Sequence, residues 1–173
     1  MTILYPTRMW LPRTVLLISL YLLAQSPLLA AVSVAIFEFE LKDLTLMPGG
    51  TKELERTASL KPLLEQALDK EGSYELLPVD PQLVAAADSG VGYLFQHHDV
   101  AADLGRELGA EWILVGRLHK PSFLFAYLMV RLINVDSGQL VGDLIVEVKG
   151  QPEVTTKKGV ERLSKKIHRA INP

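Results

Sequence analysis

The sequence predicts a single α/β (α+β) domain built on a mixed β-sheet, and three observations support this class. Short apolar runs typical of covered strands alternate with helical segments through the first two thirds of the chain. Two longer runs then meet at Asp136-Ser137-Gly138, which is typical of a hairpin turn. A final segment has apolar residues at helical spacing. The expected order is β-α-β-α-α-β-β-β-α, with helices packed on the sheet and a C-terminal antiparallel hairpin followed by a helix.

The first 31 residues have the three-part pattern of a secretory signal peptide. Arg8 and Arg13 precede an apolar stretch over residues 15–24, and Ala30-Ala31 offers small residues for cleavage. The alternative is an uncleaved anchor, although the apolar stretch is shorter than the roughly 20 residues that span a bilayer. Residues 32–173 then form the single domain. In either case we expect the domain outside the cytoplasm, which is the periplasm in a Gram-negative host.

Composition argues against several functional classes. The 173-residue chain has a formal net charge of −2, whereas general nucleic-acid binding requires a basic surface. The chain contains no cysteine, so disulfides, thiolate metal sites and thiol nucleophiles are excluded. Its length suits one domain with a core of its own.

The first strand and helix follow from apolar patterning. Residues 34–39 are apolar nearly throughout, as in a strand covered on both faces, and the following loop closes at Gly49-Gly50. The helix begins either at Thr51, which places Pro62 inside it, or at Ser59, which places Pro62 in its first turn. The sequence leaves both starts open.

The middle of the chain predicts a short strand, a short helix, a loop and a second helix. Residues 74–79 predict a short strand, and Pro78, which cannot donate to a ladder, indicates either a strand at the sheet edge or the end of the strand. Asp80 is expected to cap a brief alanine-rich helix. Residues 88–96 contain two glycines without periodicity and predict an exposed loop. The helix that follows ends at Gly109, which suits the position beyond a helix C-terminus.

The last third predicts three strands and a helix. Residues 112–116 suit a central strand covered on both faces, and residues 123–135 and 140–148 form the hairpin. Thr155 or Thr156 is expected to cap the final helix. The basic residues of this helix fit either a solvated face or contact with an anionic lipid or acidic partner.

These elements resemble secreted bacterial α/β domains that include the amino-terminal domain of TolB, the lipoprotein activators of penicillin-binding proteins and the curli secretion channel subunit. A closer resemblance is to an uncharacterised bacterial family of exported domains of unknown function. The resemblance covers residues 34–172 and rests on three segments: Val34-Ala35-Ile36-Phe37-Glu38-Phe39, Leu108-Gly109-Ala110-Glu111-Trp112-Ile113-Leu114-Val115-Gly116 and Ile133-Asn134-Val135-Asp136-Ser137-Gly138. It implies a non-enzymatic domain that binds other cell-envelope proteins, without a transferable active site. The lipobox cysteine of the lipoprotein members is absent.

Aromatic and histidine residues near predicted loops are the candidate contacts with a partner in the cell envelope. The sequence does not identify this partner protein. Exposed aromatic side chains are typical binding anchors, although they can also plug the end of a sheet. The candidate partner-binding residues are Tyr93, Phe95, His97, His98, Phe123 and Phe125.

Three further patterns contain residue types that could bind a ligand or catalyse a reaction. His97, His98 and Asp99 suggest a metal or small-ligand site, but zinc requires three or four ligands and Asp99 also fits a helix cap. The segment Gly49-Gly50-Thr51-Lys52 lacks the spacing of a phosphate-binding loop. Glu38 and Glu40 form a candidate acid pair, or a solvated strand face. We therefore predict that the protein is not an enzyme and has no catalytic residue or cofactor. The alternative is a periplasmic protein that binds a metal or small ligand through His97, His98 and Asp99.

Overall fold

The computed structural model describes residues 31–72 and 74–173, and it confirms the predicted mixed sheet. Its strands are β1 (Val32–Ile36), β2 (Glu40–Asp43), β3 (Tyr74–Leu77), β4 (Trp112–Lys120), β5 (Phe125–Asn134) and β6 (Gln139–Lys149). Its helices are α1 (Thr51–Glu71), α2 (Pro81–Ala87), α3 (Tyr93–Gln96), α4 (His98–Leu108) and α5 (Pro152–Ile171). The predicted signal peptide lies outside the described residues except for Ala31. Within them, no helix has the length and apolar character required to cross a membrane.

The sheet has the order β3-β1-β4-β5-β6, with β2 paired to β4 beyond the end of β1. β1 runs parallel to both β3 and β4, whereas β4, β5 and β6 are antiparallel. The crossover helices and the hairpin therefore produce the expected mixture of strand directions. The short third strand lies at a sheet edge, which is one of the two predicted alternatives.

The strand predicted over residues 34–39 is interrupted. Ile36 pairs with Leu114 and Glu40 pairs with Arg117. Between these two pairs, the first segment therefore contains one residue more than β4 does. This extra residue breaks the alternation of side chains. Glu38 and Glu40, the candidate acid pair, therefore have separate partners: Glu38 contacts Lys61 at 3.2 Å, whereas Glu40 binds Arg117.

Each face of the sheet has its own apolar core. The first face packs against α1 and α5 through residues that include Leu60, Leu64, Leu68, Leu163 and Ile167, all fully buried. The second face packs against α2, α3 and α4 through residues that include Ala35, Phe37, Leu94, Leu104, Ile113 and Ile133. Both cores are apolar, so packing alone supplies the main stabilisation of this cysteine-free chain.

The two open questions about helix starts are resolved. α1 begins at Thr51 and contains Pro62. α5 begins at Pro152, so the predicted start at Thr155 or Thr156 is wrong. Proline suits the first helical position because the N–H that it lacks would have no partner there. The hydroxyl of Thr156 instead accepts a hydrogen bond from Arg56 Nε of α1 at 2.9 Å.

One end of the sheet gathers several loops and helix starts. β2 and β4 finish together, and the N–H of Leu44 donates to the carbonyl of Lys120 at 2.9 Å. β6 runs in the same direction as β4, so it finishes there as well. We call this the distal end; α1 and α5 begin beside it, whereas β1 starts at the opposite end.

Candidate partner-binding face

Among residues 31–72 and 74–173, the helices cover only part of the second face of the sheet. α3 packs on β4, and α4 packs on β4, the end of β5 and the start of β6, while Phe125, Tyr127 and Ile145 belong to neither apolar core. Ile145 is 40% exposed and lies opposite Met129, which only touches the border of the second core. We define the open face as His119, Phe125, Tyr127, Met129 and Ile145.

Aromatic rings form a continuous row across the open face. The ring of His119 lies 6.2 Å from that of Tyr127 at an interplanar angle of 17°. The ring of Phe125 lies 5.6 Å from Tyr127 at 77°, which is an edge-to-face contact. Cross-strand pairing places His119 opposite Tyr127 and so fixes the row to the rigid sheet.

His119 is held in its neutral form at the border of this row. Burial lowers the pKa of its imidazole below the ordinary value, and the cations of Lys42 and Arg117 lower that pKa further. Its Nδ1 is buried without a hydrogen-bond partner among the described residues. A neutral ring suits an aromatic contact surface because it carries no charge that must be desolvated.

We expect His119 to make stability depend on pH. Because folding lowers its pKa, its contribution is complete above the ordinary pKa of 6.5 and is lost as pH falls through 6.5 toward the lowered value. The free energy of unfolding, measured in urea, should therefore fall as pH decreases through this range. The variant His119→Gln should show a shallower fall than the wild type. An unchanged slope in His119→Gln would contradict this assignment.

Phe95 anchors the segment that borders the open face. Its ring is 3% exposed and lies between two guanidinium groups, 3.8 Å from that of Arg117 and 4.6 Å from that of Arg131. Arg117 Nε donates to Glu40 Oε1, and Glu40 Oε2 accepts the N–H of Gly92 at 2.5 Å. These contacts combine cation–π attraction with a largely buried ion pair.

The prediction that residues 88–96 form an exposed loop is therefore wrong for part of this segment. Gly92 adopts a left-handed conformation with φ of 87° and starts the short helix α3. Leu94 and Phe95 are then buried, at 6% and 3% exposure. Phe95 acts in this structure as an internal anchor, because the arginine side chains that it packs against are part of the fold.

The other predicted contact residues lie at three separate places. Phe125 lies on the open face, whereas Phe123 is 64% exposed in the distal loop after β4. Tyr93 and His97 stack at the surface, with ring centroids 4.2 Å apart. His98 is partly buried, and its Nδ1 has no partner among the described residues.

Sequence reasoning missed four residues of the open face: His119, Tyr127, Met129 and Ile145. The alternation on β5 and β6 was the available signal, because Tyr127 shares a face with Phe125, and Ile145 shares one with Glu147. It could not indicate that the helices stop short of these residues.

The histidine pair does not assemble a metal site. Within residues 31–72 and 74–173, no three histidine, aspartate or glutamate side chains lie together in a way that could hold a metal ion. The exposed ring of His97 lies against that of Tyr93 at an interplanar angle of 33°, whereas His98 is partly buried. The structure therefore provides no ligand set for His97, His98 and Asp99 to complete.

The described residues form a mixed-sheet α/β domain, and their helices leave part of one sheet face uncovered. The chain belongs to the family described as "Protein of unknown function (DUF2380)", whose pattern matches residues 32–167. This confirms the resemblance to a family of unknown function. A search of curated protein sequences finds no match.

Solved structures share the fold at low sequence identity. TolB from Acinetobacter baumannii is 14% identical with a TM-score of 0.50, over 82% of this chain and 28% of that protein. The LpoB C-terminal domain from Escherichia coli is 17% identical with a TM-score of 0.45, over 77% of this chain and 93% of the other. The PelC dodecamer from Paraburkholderia phytofirmans is 12% identical with a TM-score of 0.49, over 82% and 86%. These similarities concern the fold alone.

Proposed function

We propose that the protein is an exported, non-enzymatic accessory or assembly domain that binds another cell-envelope protein through the open face. The observation that carries this proposal is the aromatic row of His119, Tyr127 and Phe125 beside the exposed Ile145. Aromatic side chains on a rigid sheet bind with little loss of conformational freedom and are typical interface anchors. Export rests on the signal-peptide pattern of the first 31 residues.

The partner most compatible with this face is an amphipathic helix. A helix laid across β5 and β6 would cover the open face much as α4 covers the other half of the sheet. Asp143, Glu147 and Lys149 are exposed along the same side of β6 and would meet polar residues of such a helix. The occupant is thus a helix with an apolar stripe and polar flanks.

Addition of a strand at β6 is disfavoured because basic side chains of α5 already contact that edge. Arg162 Nη2 donates to the carbonyl of Glu147 at 2.7 Å, and Lys166 Nζ donates to that of Ile145 at 2.8 Å. Lysine and arginine at an edge strand oppose pairing with another chain. These contacts favour the open face over the edge of β6 as the binding surface.

A non-enzymatic role agrees with the contacts of the acidic candidates. Glu40 is engaged by Arg117 and by the N–H of Gly92, and Glu38 by Lys61. A carboxylate held in this way stabilises the fold and is poorly placed to exchange a proton with a substrate. We assign neither residue a catalytic role.

The proposal is tested by crosslinking and affinity capture of the tagged protein from intact cells. Ile145→Glu places a charge on the open face, whereas Val141→Glu places the same charge on the same strand outside it, at a site that is 50% exposed. We expect an envelope protein to be captured by the wild type and by Val141→Glu, and to be reduced about tenfold or more with Ile145→Glu. Equal capture by all three forms would contradict binding at the open face.

A further inference from the structure

Exposed apolar side chains are concentrated at the distal end of the sheet. Ten large apolar residues are exposed in the described part of the chain, and seven of them lie in the loops and first helical turns at this end. Those seven are Leu44, Leu46, Met47, Leu54, Phe123, Leu124 and Val154. Concentration of exposed apolar residues on one surface marks an interaction site.

Two loops carry the most prominent of these residues. Leu46 and Met47 are 94% and 77% exposed in the loop between β2 and α1, and Phe123 and Leu124 are 64% and 78% exposed between β4 and β5. Residues 44–50 and 121–124 contain no charged side chain. The loops therefore project apolar tips beyond the body of the domain.

The first loop is held in place by a buried carboxylate. The side chain of Asp43 is 2% exposed and accepts hydrogen bonds from the N–H and hydroxyl of Thr45, at 3.0 and 2.7 Å, and from the N–H of Gly49 at 3.3 Å. Burial alone would raise its pKa, but these hydrogen bonds and the nearby Lys120 hold the pKa below its ordinary value. The loop is thus built to keep Leu46 and Met47 in solvent.

A common ionic network ties both loops to the helix starts. Lys120, which precedes the second loop, lies 3.8 Å from Asp43 and 2.9 Å from Glu53 of α1. Glu53 also contacts Arg56, which donates to Thr156 of α5. The two apolar loops therefore have fixed positions relative to each other.

The rim around these loops has more free cations than free anions. Four exposed lysines form no ion pair among the described residues: Lys42, Lys52, Lys157 and Lys158. The exposed acidic residues without an ion pair in the same region are two, Glu55 and Glu153. The N-termini of α1 and α5 add partial positive charge at the same end. The whole chain, in contrast, has a formal net charge of −2.

We propose that the distal end docks on an anionic phospholipid surface, with the two loops inserted at the level of the headgroups. Separate projecting side chains need a complementary pocket in a protein partner, whereas a lipid interface accepts them without one. Apolar tips with a lysine rim combine insertion with attraction to lipid phosphates. This surface adjoins the open face where Phe125 follows Leu124, but the two surfaces share no residue, and the two proposals are tested with different variants.

The test uses a fluorescent reporter at the tip of the first loop. The full chain with Leu46→Trp is mixed with vesicles of phosphatidylcholine, with or without phosphatidylglycerol, and with brominated phosphatidylcholine as a quencher. The matched reporter is Val141→Trp, and Trp10 and Trp112 are present in both forms. We expect a blue shift and quenching for Leu46→Trp only, stronger with phosphatidylglycerol and weakened by salt. Because the N-terminal residues are common to both forms, the difference between reporters is specific to the loop.

A companion measurement separates the loop from other lipid contacts. Met47→Ser combined with Phe123→Ser should reduce quenching of the Leu46→Trp reporter about tenfold at equal lipid, whereas Val141→Ser should not. Equal quenching of both reporters, or no response from Leu46→Trp, would overturn the proposal. Loss of self-association or of a captured protein in Met47→Ser/Phe123→Ser, without any lipid response, would also overturn it and assign the surface to a protein.

Discussion

Replacing Gly159 with alanine will lower the free energy of unfolding by about 2 kcal/mol, although alanine is the better helix former. A Cβ at position 159 would lie 2.5 Å from Cγ1 of Val148 and 2.9 Å from Cδ1 of Leu128. α5 must therefore move away from β5 and β6, and all of its core contacts would suffer. Denaturation in urea, followed by circular dichroism, gives the change directly.

The double variant Gly159→Ala/Val148→Ala separates steric conflict from other effects. Removing the valine methyl groups makes room for the new Cβ, so the double variant should lose less stability than the sum of the two single changes. Additive losses would contradict the close approach. A gain of stability in Gly159→Ala alone would contradict it outright, because helix propensity would then be the only effect present.

Replacing Glu40 with alanine will cost about 3 kcal/mol, because it leaves the guanidinium of Arg117 buried without its carboxylate partner. The side chains of Arg117 and Glu40 are 9% and 21% exposed, so solvent replaces the lost partner poorly. The N–H of Gly92 also loses its acceptor. We expect the segment from Gly92 through Phe95 to loosen from the sheet, which hydrogen exchange of α3 would detect.

Two variants control this prediction. Glu38→Ala removes a carboxylate that is 62% exposed and should change stability little. Combining Glu40→Leu with Arg117→Met removes both charges and should cost less than the sum of the single changes. Equal losses of unfolding free energy for Glu38→Ala and Glu40→Ala would contradict the prediction, because the ion pair with Arg117 would then stabilise the fold no more than an exposed contact does.

Long patterned elements were predictable from sequence because their periodicity reports burial. The helix that ends at Leu108 and Gly109, the central strand after Trp112 and the hairpin at residues 136–138 all occur as expected. Gly109 adopts φ of 71°, the left-handed conformation that glycine favours at a helix C-terminus. In each case a local preference and the tertiary packing agree.

The elements that were missed depend on contacts distant in sequence. β2 consists of Glu40-Leu41-Lys42-Asp43, which has little strand character and forms because β4 extends beyond β1. α3 is only four residues long, and its burial depends on Phe95 packing between Arg117 and Arg131. Nothing in the sequence of residues 88–96 indicates that Phe95 will pack between those two arginines.

The candidate site was predictable only in part. Phe125 was named from its aromatic character, and the structure places it on the open face. The exposure of this face follows from where α4 lies and from the lack of a described helix over Tyr127 and Ile145. Helix placement over a sheet is a property of the whole fold, which no single segment encodes.

The most direct test of partner binding is photocrosslinking from the open face in intact cells. p-Benzoylphenylalanine is introduced in place of Ile145 and, as the control, in place of the exposed Asp69 of α1 on the other side of the sheet. The proposed function predicts one discrete adduct with a cell-envelope protein from position 145 and none from position 69. The same adducts from both positions, or an adduct from position 69 alone, would contradict it.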